Sequence, residues 1–144
     1  MTGELYMFEY RRKIHYYETD KMGITHHSNY VRFMEEARTA YMDELGCGYA
    51  KFESEGIISP VLSVNCQYKN TTTFDEEIGI AVSVKEYTGV KIKFKYVMTN
   101  TKTGTVVFIG ESEHCFLDAT RRPVIVRRKY PELDTLFKRL ATEY

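Results

Sequence analysis

The spacing of apolar residues changes along this chain, and helical spacing dominates one segment of its first third. The apolar residues of that segment lie three and four positions apart, which places them on one face of a helix. They are Tyr30, Phe33, Met34, Ala37, Tyr41 and Leu45. Ser28 and Asn29 precede the segment and are residue types that cap helices, whereas Gly46 and Gly48 after it are typical of a helix end. The pattern therefore predicts one long amphipathic helix over residues 30–45.

Beyond Ile57 the apolar residues recur at every second position, which is typical of strands. The predicted strands cover residues 78–84, 90–98 and about 105–117. Turns are predicted at residues 87–89, 100–104 and 118–123. Gly110 lies inside the last strand and suggests a bulge. An aromatic-rich segment from Tyr6 to Tyr17 predicts a first strand, and Pro131 opens a short terminal helix.

This order of elements predicts an α+β fold of one domain spanning residues 1–144, because no repeat or linker divides the chain. One sheet and one long apolar helix bury their apolar faces most simply when the sheet curls around the helix. An open sheet leaves two edge strands, and pairing of such edges between subunits is a common remedy. We therefore expect a homo-oligomer.

Composition excludes several classes of function. Twenty Lys and Arg residues balance twenty Asp and Glu residues, so the net charge gives no reason to expect binding to nucleic acid or to an anionic membrane. No apolar run approaches the ~20 residues that span a bilayer, and charged residues interrupt the N-terminal segment where a signal peptide would be apolar. Cys47, Cys66 and Cys115 are widely and irregularly spaced, which predicts reduced thiols in a cytoplasmic protein rather than disulfides or a zinc site.

Candidate chemistry is concentrated between Tyr16 and Tyr30, where Asp20, Gly23 and several polar residues precede the long helix. The start of a helix presents unpaired backbone N–H groups. A carboxylate beside such donors can attack or hydrate an activated carbonyl, because the donors hold the oxyanion that forms. Taken alone, however, a loop aspartate near a helix start more often hydrogen-bonds its local backbone.

A wider set of residues decides between these two readings. The set comprises Thr19-Asp20, Gly23-Ile24, His27, Asn29-Tyr30, Phe33, Glu35, Ala37-Arg38 and Leu45-Gly46, followed by Phe74-Asp75-Glu76-Glu77-Ile78 and the Asp118-to-Pro123 turn. In this order they make the chain resemble the 4-hydroxybenzoyl-CoA thioesterase family of hotdog-fold acyl-CoA thioesterases over nearly its whole length. The resemblance implies a hotdog fold, with an antiparallel sheet of about five strands wrapped around one long central helix and a small C-terminal helix.

The resemblance also implies the reaction and the site. It predicts hydrolysis of an acyl-CoA to free CoA and a carboxylic acid, with Asp20 as nucleophile or general base and the His27 backbone N–H polarising the thioester carbonyl. The substrate-binding residues that we expect are Gly23, His26, Asn29 and Tyr17. No metal is expected, since the adjacent histidines diverge and no ligand lies at metal spacing from them, and no cofactor is expected besides the CoA of the substrate. Glu35 and Glu36 are reserve carboxylates on the helix, because other hotdog thioesterases use a carboxylate there.

Two departures from the family pattern concern the substrate more than the reaction. Thr25 replaces a common Val and can alter the acyl pocket, whereas Lys13 stands where Gln or Arg is usual. On the helix, Glu35 and Arg38 lie three residues apart, which allows a structural ion pair.

Three questions stay open at the level of sequence. The thiol carrier can be acyl carrier protein instead of CoA, and a non-catalytic acyl-binding module is an alternative of another class. The CoA phosphates can bind a basic set comprising Lys91, Lys93, Lys95, Arg121, Arg122, Arg127, Arg128 and Lys129, although a solvated strand face explains its three strand lysines as well. A homodimer and a homotetramer, with substrate at a subunit interface, are both compatible with the sequence.

Overall fold

A computed structural model describes residues 8–143 of the chain. Its strands are β1 Phe8–Lys13, β2 Val61–Tyr68, β3 Glu77–Tyr87, β4 Lys91–Asn100 and β5 Val106–Cys115. Its helices are α1 Asn29–Glu44, α2 Tyr49–Ser54, α3 Val126–Lys129 and α4 Pro131–Glu143. The order of elements agrees with the predicted α+β arrangement, although the short helices α2 and α3 were not predicted.

The strands form one antiparallel sheet in the order β1-β3-β4-β5-β2, which confirms the expected five strands. Helix α1 lies against the inner face of this sheet. Its buried residues Phe33, Met34 and Ala37 join a core that includes Ile80 and Phe108 from the strands. The sheet therefore wraps around the long helix, as in a hotdog fold.

Helix α1 begins and ends within one residue of its predicted bounds, although the expected side-chain cap at its start does not form. Its apolar stripe faces the sheet, and Gly46 follows in the left-handed region at φ +80°, where a residue with a side chain is strained. The predicted ion pair between Glu35 and Arg38 is wrong. The Arg38 guanidinium instead donates to the hydroxyls of Tyr49 and Tyr96.

The first strand ends earlier than predicted, at Lys13, and its predicted beginning at Tyr6 lies outside the described residues. Residues 16–18 form a single turn of 3-10 helix instead of strand. The cause is the Glu18 carboxylate, which accepts a hydrogen bond from the His15 backbone at 2.7 Å and folds the chain back. Tyr16 and Tyr17 consequently leave the sheet.

Gly110 does not form the predicted bulge, since it pairs regularly with Tyr96 on one side and Cys66 on the other. Its role is to let the helix approach the sheet. A Cβ atom at this position would lie 2.8 Å from the Met34 sulfur and 2.6 Å from the Phe108 ring. Glycine is therefore required by the packing of α1 on β5.

Strand β2 forms one edge of the sheet. Val61, Val64 and Tyr68 pair with residues of β5 that are buried beneath the helix, so their side chains point to the inner face. Nevertheless they are 51%, 43% and 50% exposed. The inner face of this strand is thus apolar and uncovered in a single chain.

Candidate active site

Asp20 lies in a tight turn between the 3-10 turn and α1. Its backbone carbonyl accepts from Gly23 N–H at 2.9 Å, and its carboxylate Oδ1 accepts from Met22 N–H at 2.8 Å. Gly23 completes the turn at φ +77°, which confirms that this position needs glycine. The second carboxylate oxygen of Asp20 has no hydrogen-bond partner within residues 8–143. One oxygen therefore orients the side chain, and the other is available for chemistry.

A buried ion pair holds the loop that carries Asp20 against strand β1. The Arg12 guanidinium donates to both oxygens of Glu18, at 2.8 and 2.9 Å, and it lies 4.1 Å from the centre of the Phe33 ring. Burial alone would raise the pKa of Glu18, but the hydrogen bonds and charge of Arg12 outweigh it and lower the pKa. Glu18 is therefore a charged structural anchor beside the site.

Asn29 joins this loop to the first turn of α1. Its side-chain amide donates to the backbone carbonyls of Glu18, at 3.0 Å, and His26, at 3.2 Å. The His26 backbone N–H also donates to the Glu18 carbonyl, at 2.8 Å. Asn29 thus anchors the loop, whereas the side chain of Ser28 forms no capping hydrogen bond to the first turn of α1.

His27 presents a free backbone donor at the start of α1. Its carbonyl accepts from the Tyr30 backbone and from the Tyr68 hydroxyl, each at 3.3 Å. Its own backbone N–H donates to no acceptor in the described part of the chain. A free N–H at a helix start is the kind of group that stabilises a developing oxyanion.

Asp20 and His27 line the same cleft, which has a volume of about 230 Å³. Thr25 and Tyr30 line it too, and both hydrogen-bond the Thr72 hydroxyl, at 2.6 and 2.9 Å. Burial raises the pKa of Tyr30, so its hydroxyl stays neutral. The cleft therefore combines the half-buried carboxylate of Asp20, a free backbone donor and a wall of neutral hydroxyls.

The other predicted site residues lie around this cleft rather than on its lining. The side chains of His26 and Asn29 are occupied by loop contacts, since His26 Nδ1 lies 2.8 Å from the Ser28 hydroxyl. Tyr17 is 78% exposed and bonds His15 at 2.7 Å. Contact of these residues with substrate stays a prediction.

The reserve carboxylates lie away from the Asp20 cleft. Glu36 accepts from Tyr10 and from Arg12, each at 3.0 Å, and so supports the loop anchor. Glu35 is exposed and lines a different cavity. Of the three candidate carboxylates, Asp20 is the one that lines the same cleft as His27.

Sequence reasoning missed the residues that follow β2. Tyr68, Lys69 and Asn70 line the cleft opposite Asp20. No local pattern marks them, because they reach the cleft only through the pairing of Tyr68 with Phe108 on β5. Lys69 places a cation beside the cleft.

The strand lysines that were weighed as phosphate ligands lie among carboxylates instead. Lys93 pairs with Glu86 at 3.7 Å, and its neighbour across the ladder is Glu113. Lys95 lies opposite Glu111. This alternation favours a solvated charged face over a phosphate site.

Cys47, Cys66 and Cys115 are free thiols. Between residues 8 and 143, no group of three or more His, Cys, Asp and Glu side chains is arranged to hold a metal ion. In the same range, no helix has the length and apolar character needed to cross a bilayer.

Comparison with known proteins agrees with this geometry. The profile of the Thioesterase-like superfamily matches residues 14–139. The Bacillus subtilis protein named "Putative acyl-CoA thioesterase YneP" is 30% identical over 127 residues, which cover 88% of this chain and 92% of that protein. An Aquifex aeolicus protein named "Putative esterase" is 33% identical over 110 residues, covering 76% of this chain and 84% of the relative.

A solved structure gives the same result. The DHNA-CoA thioesterase of Staphylococcus aureus superposes with a TM-score of 0.89 at 31% identity, covering 94% of this chain and 91% of that one. These findings identify the superfamily and the type of reaction. They do not identify the 4-hydroxybenzoyl-CoA thioesterase family in particular. The chain belongs to the Thioesterase-like superfamily and is a hotdog-fold thioester hydrolase.

Proposed function

We propose that this enzyme hydrolyses an acyl-CoA to free CoA and a carboxylic acid in the cleft lined by Asp20 and His27. One observation carries the proposal: a carboxylate oxygen of Asp20 and the backbone N–H of His27, both without a hydrogen-bond partner among residues 8–143, belong to one cleft of about 230 Å³. The B. subtilis relative is named a putative acyl-CoA thioesterase and the S. aureus relative a DHNA-CoA thioesterase, and both names support CoA as the thiol carrier.

In the proposed reaction the thioester carbonyl accepts a hydrogen bond from His27 N–H, which stabilises the oxyanion as it forms. Asp20 then acts by one of two routes. As nucleophile it forms a mixed anhydride and releases CoA thiolate, and water hydrolyses the anhydride. As general base it takes a proton from water, the hydroxide attacks the carbonyl, and the proton passes to the departing thiolate.

Single turnover in isotopically labelled water separates the two routes. In the nucleophilic route, water that attacks the Asp20 carbonyl of the anhydride leaves an Asp20 oxygen in the first product molecule, which then carries no label. An unlabelled first product therefore identifies this route. In the general-base route that oxygen comes from water, and the product is labelled at once.

The uncovered face of β2 supports a homodimer in which β2 pairs with β2 of a second copy. The edge offers unpaired backbone groups, and its inner side presents Val61, Val64 and Tyr68 to solvent. Pairing across a two-fold axis would cover both. It would also place the substrate at the subunit interface, and the mass of the assembly distinguishes this dimer from a tetramer.

The decisive test of the chemistry is Asp20→Asn. The variant keeps the turn, since an amide oxygen can accept from Met22 N–H, and it removes the charge. We expect kcat to fall by about 10²–10⁴-fold. The matched control is Asp118→Asn, because Asp118 also accepts from the backbone two residues on, at 2.8 Å, and lies outside the cleft. Full activity in Asp20→Asn would refute the mechanism.

Two further properties are part of the proposal. Hydrolysis uses groups of the chain alone, so a chelator should leave kcat unchanged. Matched acyl-CoA and acyl carrier protein substrates should show a higher kcat/KM for the CoA thioester. Binding without turnover of any thioester would instead favour a non-catalytic acyl-binding module. The cytoplasmic location stays a prediction from the sequence.

A further inference from the structure

A second cavity, of about 510 Å³, lies between α1, α2 and the start of β2. Arg38, Thr39 and Tyr49 contribute its polar lining, and an apolar wall comes from the segment that leads into β2, including Ile57 and Val61. We call it the Arg38 cavity. It is separate from the Asp20 cleft, and the two share no lining residue.

Arg38 is a buried cation without an anionic partner. The residue is only 7% exposed. Its Nε donates to the Tyr49 hydroxyl at 3.0 Å, and its Nη1 donates to the Tyr96 hydroxyl at 3.1 Å. It forms no ion pair with any carboxylate of the described residues. A buried charge is normally paired, because removing it from water is costly, and two hydrogen bonds leave most of the guanidinium donors unused.

The groups behind Arg38 cannot supply the missing negative charge. The Tyr96 hydroxyl forms a hydrogen bond with the Ser112 hydroxyl at 2.6 Å. The Ser112 hydroxyl in turn forms a hydrogen bond with His114 Nε2 at 2.7 Å. Burial, with a contribution from the Arg38 charge, lowers the pKa of His114 to about 3, so the imidazole is neutral. The whole chain of groups is uncharged apart from Arg38.

Two carboxylates lie on the cavity lining as well, and both are exposed. Glu35 is on α1 and Glu53 is on α2, and neither pairs with Arg38. Exposed carboxylates are screened by water. The cavity therefore combines a desolvated cation at its inner side with apolar walls and a hydrated rim.

We propose that the Arg38 cavity binds a carboxylate at the far end of the acyl group, so that the preferred substrates are CoA monothioesters of dicarboxylic acids. This inference rests on the proposed function and on pairing of β2 between two copies. In an antiparallel pair, the Val61 end of one β2 lies near the Tyr68 end of the other. The Arg38 cavity of one subunit then faces the Asp20 cleft of its partner.

The chemistry of recognition follows from the contacts. The free guanidinium donors form charge-assisted hydrogen bonds to the carboxylate oxygens of the substrate. The Tyr49 hydroxyl accepts from Arg38, so its own hydrogen is available to donate to the same carboxylate. The methylene groups between carboxylate and thioester lie against Ile57, Val61 and the neighbouring apolar wall. A methyl-terminated acyl group of equal length would leave Arg38 unpaired.

The test compares succinyl-, glutaryl- and adipyl-CoA with butyryl-, valeryl- and hexanoyl-CoA, which match them in chain length. The wild-type enzyme should prefer the carboxylate member of at least one pair by about tenfold or more in kcat/KM. Arg38→Gln should abolish that preference through a rise in KM, because Arg38 acts on binding far from the thioester. Arg32→Gln is the matched control, since Arg32 is an exposed arginine of the same helix, and it should keep the preference.

Two additions keep the test decisive. If Arg38→Gln does not fold, Tyr49→Phe replaces it and should reduce the preference by about twofold to tenfold. Calorimetric binding of adipyl-CoA and hexanoyl-CoA to the Asp20→Asn protein, with and without Arg38→Gln, measures recognition without turnover. Tighter binding of adipyl-CoA that depends on Arg38 supports the proposal.

An unchanged ratio in Arg38→Gln, or a wild-type preference for the methyl-terminated member of every pair, overturns it. Conversion of the dimer to a monomer by Arg38→Gln also overturns it, because Arg38 would then pair with a carboxylate of the partner. The proposed function is tested by a separate measurement. Residual activity of Asp20→Asn decides the mechanism, whereas the ratio within each pair decides the role of Arg38.

Discussion

Acid should destabilise this protein through His114 well before its carboxylates titrate. The residue lies on β5 and is 1% exposed. Its Nε2 contacts the Ser112 hydroxyl at 2.7 Å, and its Nδ1 has no hydrogen-bond partner in the described structure. Burial, with a smaller contribution from the nearby charge of Arg38, lowers the pKa of this imidazole from 6.5 to about 3.

The sign and size of the effect follow from proton linkage. Below its ordinary pKa the unfolded chain binds a proton at His114, whereas the folded chain does not until the pH approaches 3. Protonation therefore favours the unfolded state, and the stability present at neutral pH is lost as the pH falls from about 6.5. Between pH 7 and pH 5 the loss from this one residue is about 2 kcal/mol.

Urea unfolding of the wild type and of His114→Gln at several pH values between 7 and 5 measures the effect. This window lies above the range in which the lowered carboxylates Glu18 and Asp134 titrate. The free energy of unfolding should fall by about 2 kcal/mol more in the wild type than in the variant. Equal slopes in the two proteins would refute the claim that His114 is buried in the neutral state.

Three further perturbations test the packing, the loop anchor and the subunit edge. Gly110→Ala should destabilise the fold by about 1–3 kcal/mol, since its Cβ would overlap Met34 and the added atom has no free space; thermal unfolding measures the loss. Arg12→Met should lower the free energy of unfolding by about 3–5 kcal/mol, because it leaves the buried carboxylate of Glu18 unpaired. Chemical denaturation measures this loss. Val64→Asp should convert the proposed dimer to a monomer, as measured by light scattering, and activity should fall with it.

Matched controls accompany these three changes. Gly79→Ala should cost much less than Gly110→Ala, because its Cβ meets only the flexible carboxylate of Glu9. Arg11→Met removes an exposed arginine of the same strand and should change stability by less than about 1 kcal/mol. Asn65→Asp, on the outer side of β2, should keep the dimer. Equal effects within any pair would contradict the corresponding argument.

The sequence by itself determined the elements whose causes are local. The periodic apolar residues and flanking glycines predicted α1 within one residue at each end, because helix formation depends on neighbours three and four positions away. Alternation of apolar and polar residues predicted the principal strands, because successive side chains of a strand point to opposite faces of the sheet. The family resemblance of the wider residue set, rather than the loop of Asp20, Gly23 and His27 taken alone, selected the candidate site, because a loop aspartate by itself more often hydrogen-bonds its local backbone.

Tertiary structure alone decided which distant groups meet. The partners of Arg38 are Tyr49 and Tyr96, 11 and 58 residues away, so spacing on the helix suggested the wrong partner. Lys69 reaches the Asp20 cleft only through the register of β2 on β5. These contacts depend on how the sheet curls around the helix, and a residue's sequence neighbours carry no information about that.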